Sequence, residues 1–475
     1  MRFTIAFAFL MLAAGATVAQ TSAPRLKAQS DTIDIRDGDQ VRAAAWSLSA
    51  AQNPDIYTVA LDRGERRRVC FVSGAESLCR EVGVGEHFDF VVEHRGVDYP
   101  TRIEGVFVPP MAVFDPAYQT ANRGRIRISV PEVYELVNVA IALTETARAD
   151  RWLVVRDTPY YQALEAHFAP ARDHPFVRAL DAELRRDRSR YFHLKMNGYA
   201  FEYDSGGRIV RSRVYDRTGF AGDPVNHLLP FIEQMRDFSA ASRFRDFYAA
   251  HRSFYESQVA YYRDEIDIAD MLAWLGAQFP AVRPYDTTNI VFSPLVGGNQ
   301  SVTSFESSGF RELQPHINFP YPAAGDTQLS PRAVALRRGA IVFTELNHGF
   351  INPTAERYAE RIAGAVSDRA LWTTPGSPSD GYGNAFSLFT EMMNWGLVSL
   401  YLNDRAPEAD RDRMIANLDP YMQRRGFPEF PAFNAFLVDL YRRRPPGTTI
   451  AGLYPAIVDW FAARQAARAA PASPS

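Results

Sequence analysis

The stretch Ala340-Ile341-Val342-Phe343-Thr344-Glu345-Leu346-Asn347-His348-Gly349-Phe350 concentrates the chemistry of this sequence. On a helix Thr344 and His348 lie one turn apart and Glu345 precedes His348 by three residues, so all three share a face. Val342, Leu346 and Phe350 cover another. This is the layout of the HExxH helix, in which two histidines hold zinc and the intervening glutamate acts as general base toward metal-bound water. Here Thr344 stands where the first histidine would be. Downstream, Gly381-Tyr382-Gly383-Asn384 predicts a helix start with Asn384 as N-cap. Ala385, Leu388, Phe389, Met392 and Gly396 give that helix an apolar or small face. Glu391 falls inside it, where a carboxylate is costly unless it is paired or bound to metal. Tyr382 is a candidate hydrogen-bond donor to a tetrahedral oxyanion.

The elements that must position these residues read as an α+β protein. Arg2 and the apolar run to Ala14, followed by Gly15-Ala16-Thr17-Val18-Ala19, predict a signal peptide over 1–19. Gln20 to Gln29 reads as a polar, flexible stretch. Short β-rich runs at Tyr57–Leu61, Val69–Val72, Phe88–Val92 and Thr101–Val108, separated by Gly, Asp and Pro turns, predict a small antiparallel β domain over 30–110. Pro131 suits a helix's first turn, and Val133, Leu136, Val137, Ala140 and Ile141 follow at helical spacing. A mostly α-helical domain is expected over 125–465, with further helices at Tyr160–His167, Pro175–Arg185 and Ala241–Tyr262. Strands at Asn289–Phe292 and His316–Phe319 interrupt it, and 466–475 reads as a disordered tail. Cys70 and Cys79, the only cysteines, are expected to pair if the chain is exported.

Composition excludes some classes of partner. The 475 residues carry 52 Lys plus Arg against 55 Asp plus Glu, a net charge of −3, so a polybasic nucleic-acid binder is ruled out. Only Lys27 and Lys195 are lysines; the other basic residues are arginine, which reads as codon bias, and Arg66-Arg67-Arg68 and Arg442-Arg443-Arg444 read as solvated faces. No stretch after the leader approaches the length of a membrane span. Gly297-Gly298-Asn299 lacks the strand, spacing and lysine of a phosphate loop, no GxSxG elbow is present, and no spacing singles out a glycosidase pair.

Several segments together resemble a family of exported bacterial proteins, domain of unknown function 4932, regarded as gluzincin-like metallopeptidases. They are Val130-Pro131-Glu132-Val133-Tyr134-Glu135-Leu136, His167-Phe168-Ala169-Pro170 with His174-Pro175, Phe247-Tyr248-Ala249-Ala250-His251-Arg252-Ser253-Phe254-Tyr255, Pro294-Leu295-Val296-Gly297-Gly298-Asn299, Phe343 to Pro353, and the Glu391 helix. The resemblance implies His348 and Glu391 as zinc ligands and Glu345 as general base. Where the family commonly has its first zinc histidine, this chain has Thr344.

Three arrangements follow from that departure. The site is rebuilt with Glu345 or a remote histidine, His316 being best placed. Or metal binds weakly through His348 and Glu391 with extra waters. Or no metal binds and the cleft recognises peptides or glycans. Two simpler roles stand beside these: His348 as a hydrogen-bonded core histidine, and Glu391 paired with an arginine such as Arg361 or Arg369. His167, His174 and His251 read as packing residues. The leading expectation is a periplasmic or secreted metallopeptidase-like protein acting on a peptide or protein substrate. The rival is a non-catalytic envelope or peptide-binding protein on the same scaffold.

Overall fold

In a computed structural model of the chain, residues 23–29, 32–38, 40–48, 53–220 and 224–469 are described. The expected signal peptide lies outside them. The chain divides into two compact units at Pro109–Pro110.

Among its described residues the first unit holds eight strands: β1 (Arg25–Lys27), β2 (Thr32–Asp37), β3 (Gln40–Ser47), β4 (Asp55–Leu61), β5 (Arg66–Ser73), β6 (Glu76–Gly83), β7 (His87–His94) and β8 (Val97–Phe107). They form two four-stranded sheets, ordered β3-β2-β5-β6 and β1-β7-β8-β4. The first is antiparallel throughout, whereas β1 on β7 and β4 on β8 run parallel in the second. Alternation builds the core: Val69 and Phe71 of β5, Phe90 and Val92 of β7, and Ile103 of β8 all point inward. Cys70 and Cys79 are directly opposed on β5 and β6 and form a disulfide. The stretch expected to be flexible contains β1, whose Leu26 is buried in that core, so apolar burial holds a segment that polar composition had marked as loose.

The second unit is mostly helical. It carries a sheet ordered β13-β14-β12-β9, built from β9 (Ile126–Ser129), β12 (Thr287–Ser293), β13 (Ser301–Ser307) and β14 (Phe310–Asn318). A two-stranded ribbon, β10 (Phe201–Tyr203) with β11 (Ile209–Arg211), lies apart from it. Every residue of β12 is buried, as expected of a strand covered on both faces. Five helices matter below: α1 (Glu132–Leu143), α2 (Arg190–Asn197), α3 (Pro331–Glu356), α4 (Ala385–Arg405) and α5 (Leu418–Arg424). Pro131 is the N-cap of α1 rather than its first helical residue. The single helix expected over Ala241–Tyr262 is broken, because Arg243 takes a left-handed φ of 53° and the chain turns again at His251. The last helix, Ile450–Ala469, includes 466–469 of the expected tail; 470–475 lie outside the described residues.

Helix α3 packs on β14 and along α4. A side chain on Gly349 would meet the Tyr285 ring at 3.0 Å and Leu313 at 3.2 Å, so glycine lets α3 lie close to β14. Asn384 caps α4 as the sequence predicts, its side chain accepting from the Ser387 N–H at 2.9 Å. Among the described residues no helix is long and apolar enough to cross a membrane.

Candidate functional site

The pairing of α3 with α4 brings Glu345, His348 and Glu391 together inside the second unit. Glu345 and Glu391 are buried, and the His348 side chain is 20% exposed. His348 Nε2 and Glu391 Oε2 lie 3.9 Å apart. Burial pushes the Glu345 carboxyl up to about 7; His348 opposes the rise, Glu391 adds to it, and Lys195 opposes it again. An acid poised there can exchange a proton near neutral pH.

Glu391 has an arginine partner, and it is neither of the two expected. Arg361 pairs with Asp459, and Arg369 donates to the backbone of Asp380 and Tyr382. Arg425, just beyond α5, instead places its guanidinium 2.7 Å from Glu391 Oε1, where Trp395 Nε1 also donates at 3.1 Å. Burial works against the charge of Glu391, yet Arg425 and then His348 hold its carboxyl below the ordinary range. The rings of Trp395, Tyr421 and Phe427 surround the Arg425 guanidinium at 5.4, 5.8 and 5.7 Å. Arg425 also donates to the Tyr382 hydroxyl at 2.8 Å, which brings Tyr382 to the same group. Burial and the charge of Glu391 push the Tyr382 phenol well above its usual value, so it stays protonated.

With Oε1 occupied, Oε2 of Glu391 is turned toward His348. Asn352 Oδ1 lies 3.4 Å from His348 Nδ1, which suits the tautomer with its proton on Nδ1 and a lone pair on Nε2. Into that gap reaches the Asn394 amide, 2.9 Å from His348 Nε2 and 3.4 Å from Glu391 Oε2, while its own Oδ1 is buried without a partner. Thr344 turns its hydroxyl back onto the Ile341 carbonyl at 2.7 Å, with Glu345 Oε1 at 3.5 Å. His316 is fully buried and bonded to Gln314 at 2.9 Å; burial, then the charge of Lys195, keeps its imidazole neutral. No hydrogen bond or ion pair joins it to His348 or Glu391 among the described residues.

Two donors on one tetrahedral zinc sit roughly 3.3 Å apart, so His348 Nε2 and Glu391 Oε2 need a modest approach to share an ion. The bonds to Oε1 and Nδ1 are of the kind that orient metal ligands. Among the described residues no group of three or more His, Cys, Asp or Glu is placed to hold a metal. His348 and Glu391 are thus the two side chains here that could serve as ligands, one fewer than the three protein ligands of an HExxH site.

His167, His174 and His251, expected to be packing residues, are spent on structure. His174 caps a helix by accepting from the Phe176 N–H at 3.1 Å, while His167 and His251 bond the carbonyls of Ser242 and Phe247. Sequence reasoning passed over Arg425, Asn394 and Lys195. Of these Asn394 had a local signal, since it lies three residues after Glu391 on one helix face. No family model matches the chain, and neither a curated protein nor a solved structure matches it.

Proposed function

We propose that the chain is an exported, gluzincin-like hydrolase that cleaves peptide bonds at Glu345, His348 and Glu391. The observation supporting this reading is the convergence of a buried acid near pH 7 with an imidazole and a carboxylate that face each other from two packed helices. Glu345 takes a proton from the attacking water and returns it to the leaving amine. Tyr382, held by Arg425, serves as oxyanion donor. His348 and Glu391 would hold a divalent ion, which when bound supplies polarisation of the scissile carbonyl. The leader read over 1–19 and the Cys70–Cys79 disulfide support an extracytoplasmic setting.

The Asn394 amide supports a second reading, a non-catalytic peptide-binding protein in which that amide permanently links the two ligand positions. Zinc titration of the mature protein, followed by melting temperature and by turnover of a fluorogenic peptide library, separates the two. The hydrolase raises its melting temperature with zinc, loses that response in His348→Ala and Glu391→Ala, and loses turnover in Glu345→Gln. Neither zinc response nor turnover in the wild type overturns the hydrolytic reading and leaves peptide binding.

A further inference from the structure

The second unit holds a cavity of about 350 Å³ that shares no residue with the Glu345 site; its walls are Arg148, Arg151, Arg156, Asp157, Tyr161 and Glu165. Its volume falls in the range of roughly 300–1,000 Å³ that takes small molecules. Arg148 lies in the last turn of the short helix Glu145–Ala149, Arg151 and Arg156 stand on the loop that follows, and Tyr161 and Glu165 come from the helix Pro159–Phe168. Arg172 reaches Glu165 from beyond that helix. Four guanidinium groups thus meet two carboxylates, an excess of two positive charges.

The loop is held in place by Gly297-Gly298-Asn299, a motif that contributes no side chain to the Glu345 site. A side chain on Gly297 would come within 2.5 Å of the Trp152 carbonyl oxygen, so glycine lets the two backbones lie together. Asn299 Nδ2 donates to the Trp152 and Leu153 carbonyls at 2.6 and 3.2 Å, and the Val155 N–H donates to the Leu295 carbonyl at 2.8 Å. Leu153 and Val154 are buried, and Thr158 ends the loop by capping the next helix. Arg151 and Arg156 therefore flank a fixed segment, and the wall they stand on is pre-organised for a ligand.

The hydrogen bonds within this wall leave donors over. Arg156 Nη1 donates to the Arg148 carbonyl, while its Nε is buried without a partner. Its Nη2 makes no hydrogen bond, and no carboxylate lies within ion-pair distance of it among the described residues. Arg151 pairs with Asp157, but both side chains are 68% exposed, so that pair contributes little and can open. Arg148 approaches Glu165 Oε1 at 3.5 Å, where Tyr161 already donates at 3.1 Å and Arg172 holds the other oxygen. A larger basic cavity of about 450 Å³ beside Tyr203 differs in this respect: Arg208 and Arg236 face Glu233, Arg243 pairs with Asp246, and Arg245 with Glu132. We infer that the cavity between Arg148 and Arg156 binds the phosphate group of a small phosphate monoester, with Arg156 as its anchor. Such a group carries about 1.5 to 2 negative charges at neutral pH, which matches the excess of positive charge, and its oxygens accept the paired N–H groups of a guanidinium fork. The inference does not depend on the hydrolytic reading.

Calorimetric titration of the mature protein in a phosphate-free buffer of low ionic strength tests this, with inorganic phosphate, glycerol 3-phosphate and acetate as probes. Both phosphates should bind saturably, and acetate, a monoanion, at least about tenfold more weakly. Arg156→Gln should weaken phosphate binding at least about tenfold and Arg151→Gln about threefold, whereas Arg208→Gln in the other cavity should leave it unchanged. Sedimentation with vesicles containing phosphatidic acid separates the two sources of such a group. Binding of glycerol 3-phosphate assigns the site to a soluble ester; vesicle binding that Arg156→Gln abolishes, without binding of the soluble ester, assigns it to a lipid headgroup. Should Arg156→Gln not fold, Arg151→Gln decides. The inference is overturned if neither the phosphates nor the vesicles bind, if acetate binds as tightly as phosphate, if affinity survives both arginine substitutions in the cavity, or if Arg208→Gln weakens it as much as they do.

Discussion

The interiors of the two units differ in how many ionisable groups they bury. In the β unit the central cluster is apolar, with Leu26, Ile33, Ile35, Val59, Val69, Phe71, Phe90 and Ile103 buried, Asp55 and His94 are the buried ionisable side chains among its described residues, and a covalent bond joins β5 to β6. In the helical unit a far larger apolar core surrounds Glu135, Lys195, Glu312, His316, Glu345 and Glu391, every one buried. Burying such groups costs stability unless each finds a partner. Five of the six do: Tyr118 and Tyr215 donate to Glu312, Tyr160 to Glu135, Arg425 pairs with Glu391, Asn299 accepts from Lys195 and Gln314 bonds His316, whereas Glu345 has only the Thr344 hydroxyl at 3.5 Å.

The contrast is broken most severely at Arg425. Arg425→Ala leaves Glu391 buried with its principal counter-charge removed, and breaking a buried pair on one side costs about 3–5 kcal/mol. Urea unfolding should show a loss of that size. A loss under about 1 kcal/mol would mean that Glu391 is stabilised by other groups.

A pH-dependent effect is expected at Glu135. Burial pushes its carboxyl up to about 8 from 4.5, with hydrogen bonds from Ser293 and Tyr160 opposing. The folded state therefore keeps a proton that the unfolded chain has released, and stability falls as pH rises from 4.5 through about 8. Glu135→Gln should remove this fall, a gain on the order of 5 kcal/mol at pH 9 relative to pH 4. Parallel denaturation curves for wild type and variant across that range would refute it.

In the β unit the corresponding break is covalent. Cys70 and Cys79 are separated by 9 positions, and a cross-link closing so short a loop contributes about 2–3 kcal/mol, largely by restricting the unfolded chain. The double Cys→Ala variant should lose that much while the zinc response of the helical unit stays unchanged. An altered zinc response would deny the division of labour between the units.

How far the sequence disclosed this arrangement differs between the units for physical reasons. Strands β4, β5, β7 and β8 were legible because one face is buried and alternation records it. Strand β6 was not, because charges at Glu76, Arg80 and Glu81 interrupt its few apolar residues. In the helical unit the N-cap at Asn384 and the shared face of Glu345 and His348 are local properties, so spacing sufficed. Arg425 reaches Glu391 only through tertiary packing, and no periodicity links them. Lys195 left a compositional trace, a lysine kept where arginine is the rule, which becomes informative only once its burial is known.

The smallest expected effect tests whether the helical unit carries an altered zinc site. Thr344 lies one helical turn before His348, is 3% exposed, and spends its hydroxyl on the Ile341 carbonyl rather than on the gap between His348 and Glu391. Thr344→His supplies a third imidazole or carboxylate donor at the spacing of the HExxH helix. Zinc affinity measured by calorimetry should rise at least tenfold, about 1.4 kcal/mol. Overpacking an imidazole into a site shaped for threonine opposes this by about 1–3 kcal/mol. The Asn394 amide opposes it too, because it must leave the ligand atoms before an ion can bind. Adding Asn394→Ala to Thr344→His removes that competitor and should strengthen binding beyond the single variant. If both variants fold and bind zinc no more tightly than the wild type, α3 does not carry a degraded metal helix. The Arg425–Glu391 pair and the Asn394 bridge are then the finished form of this site, and the proposed peptide-binding reading leads.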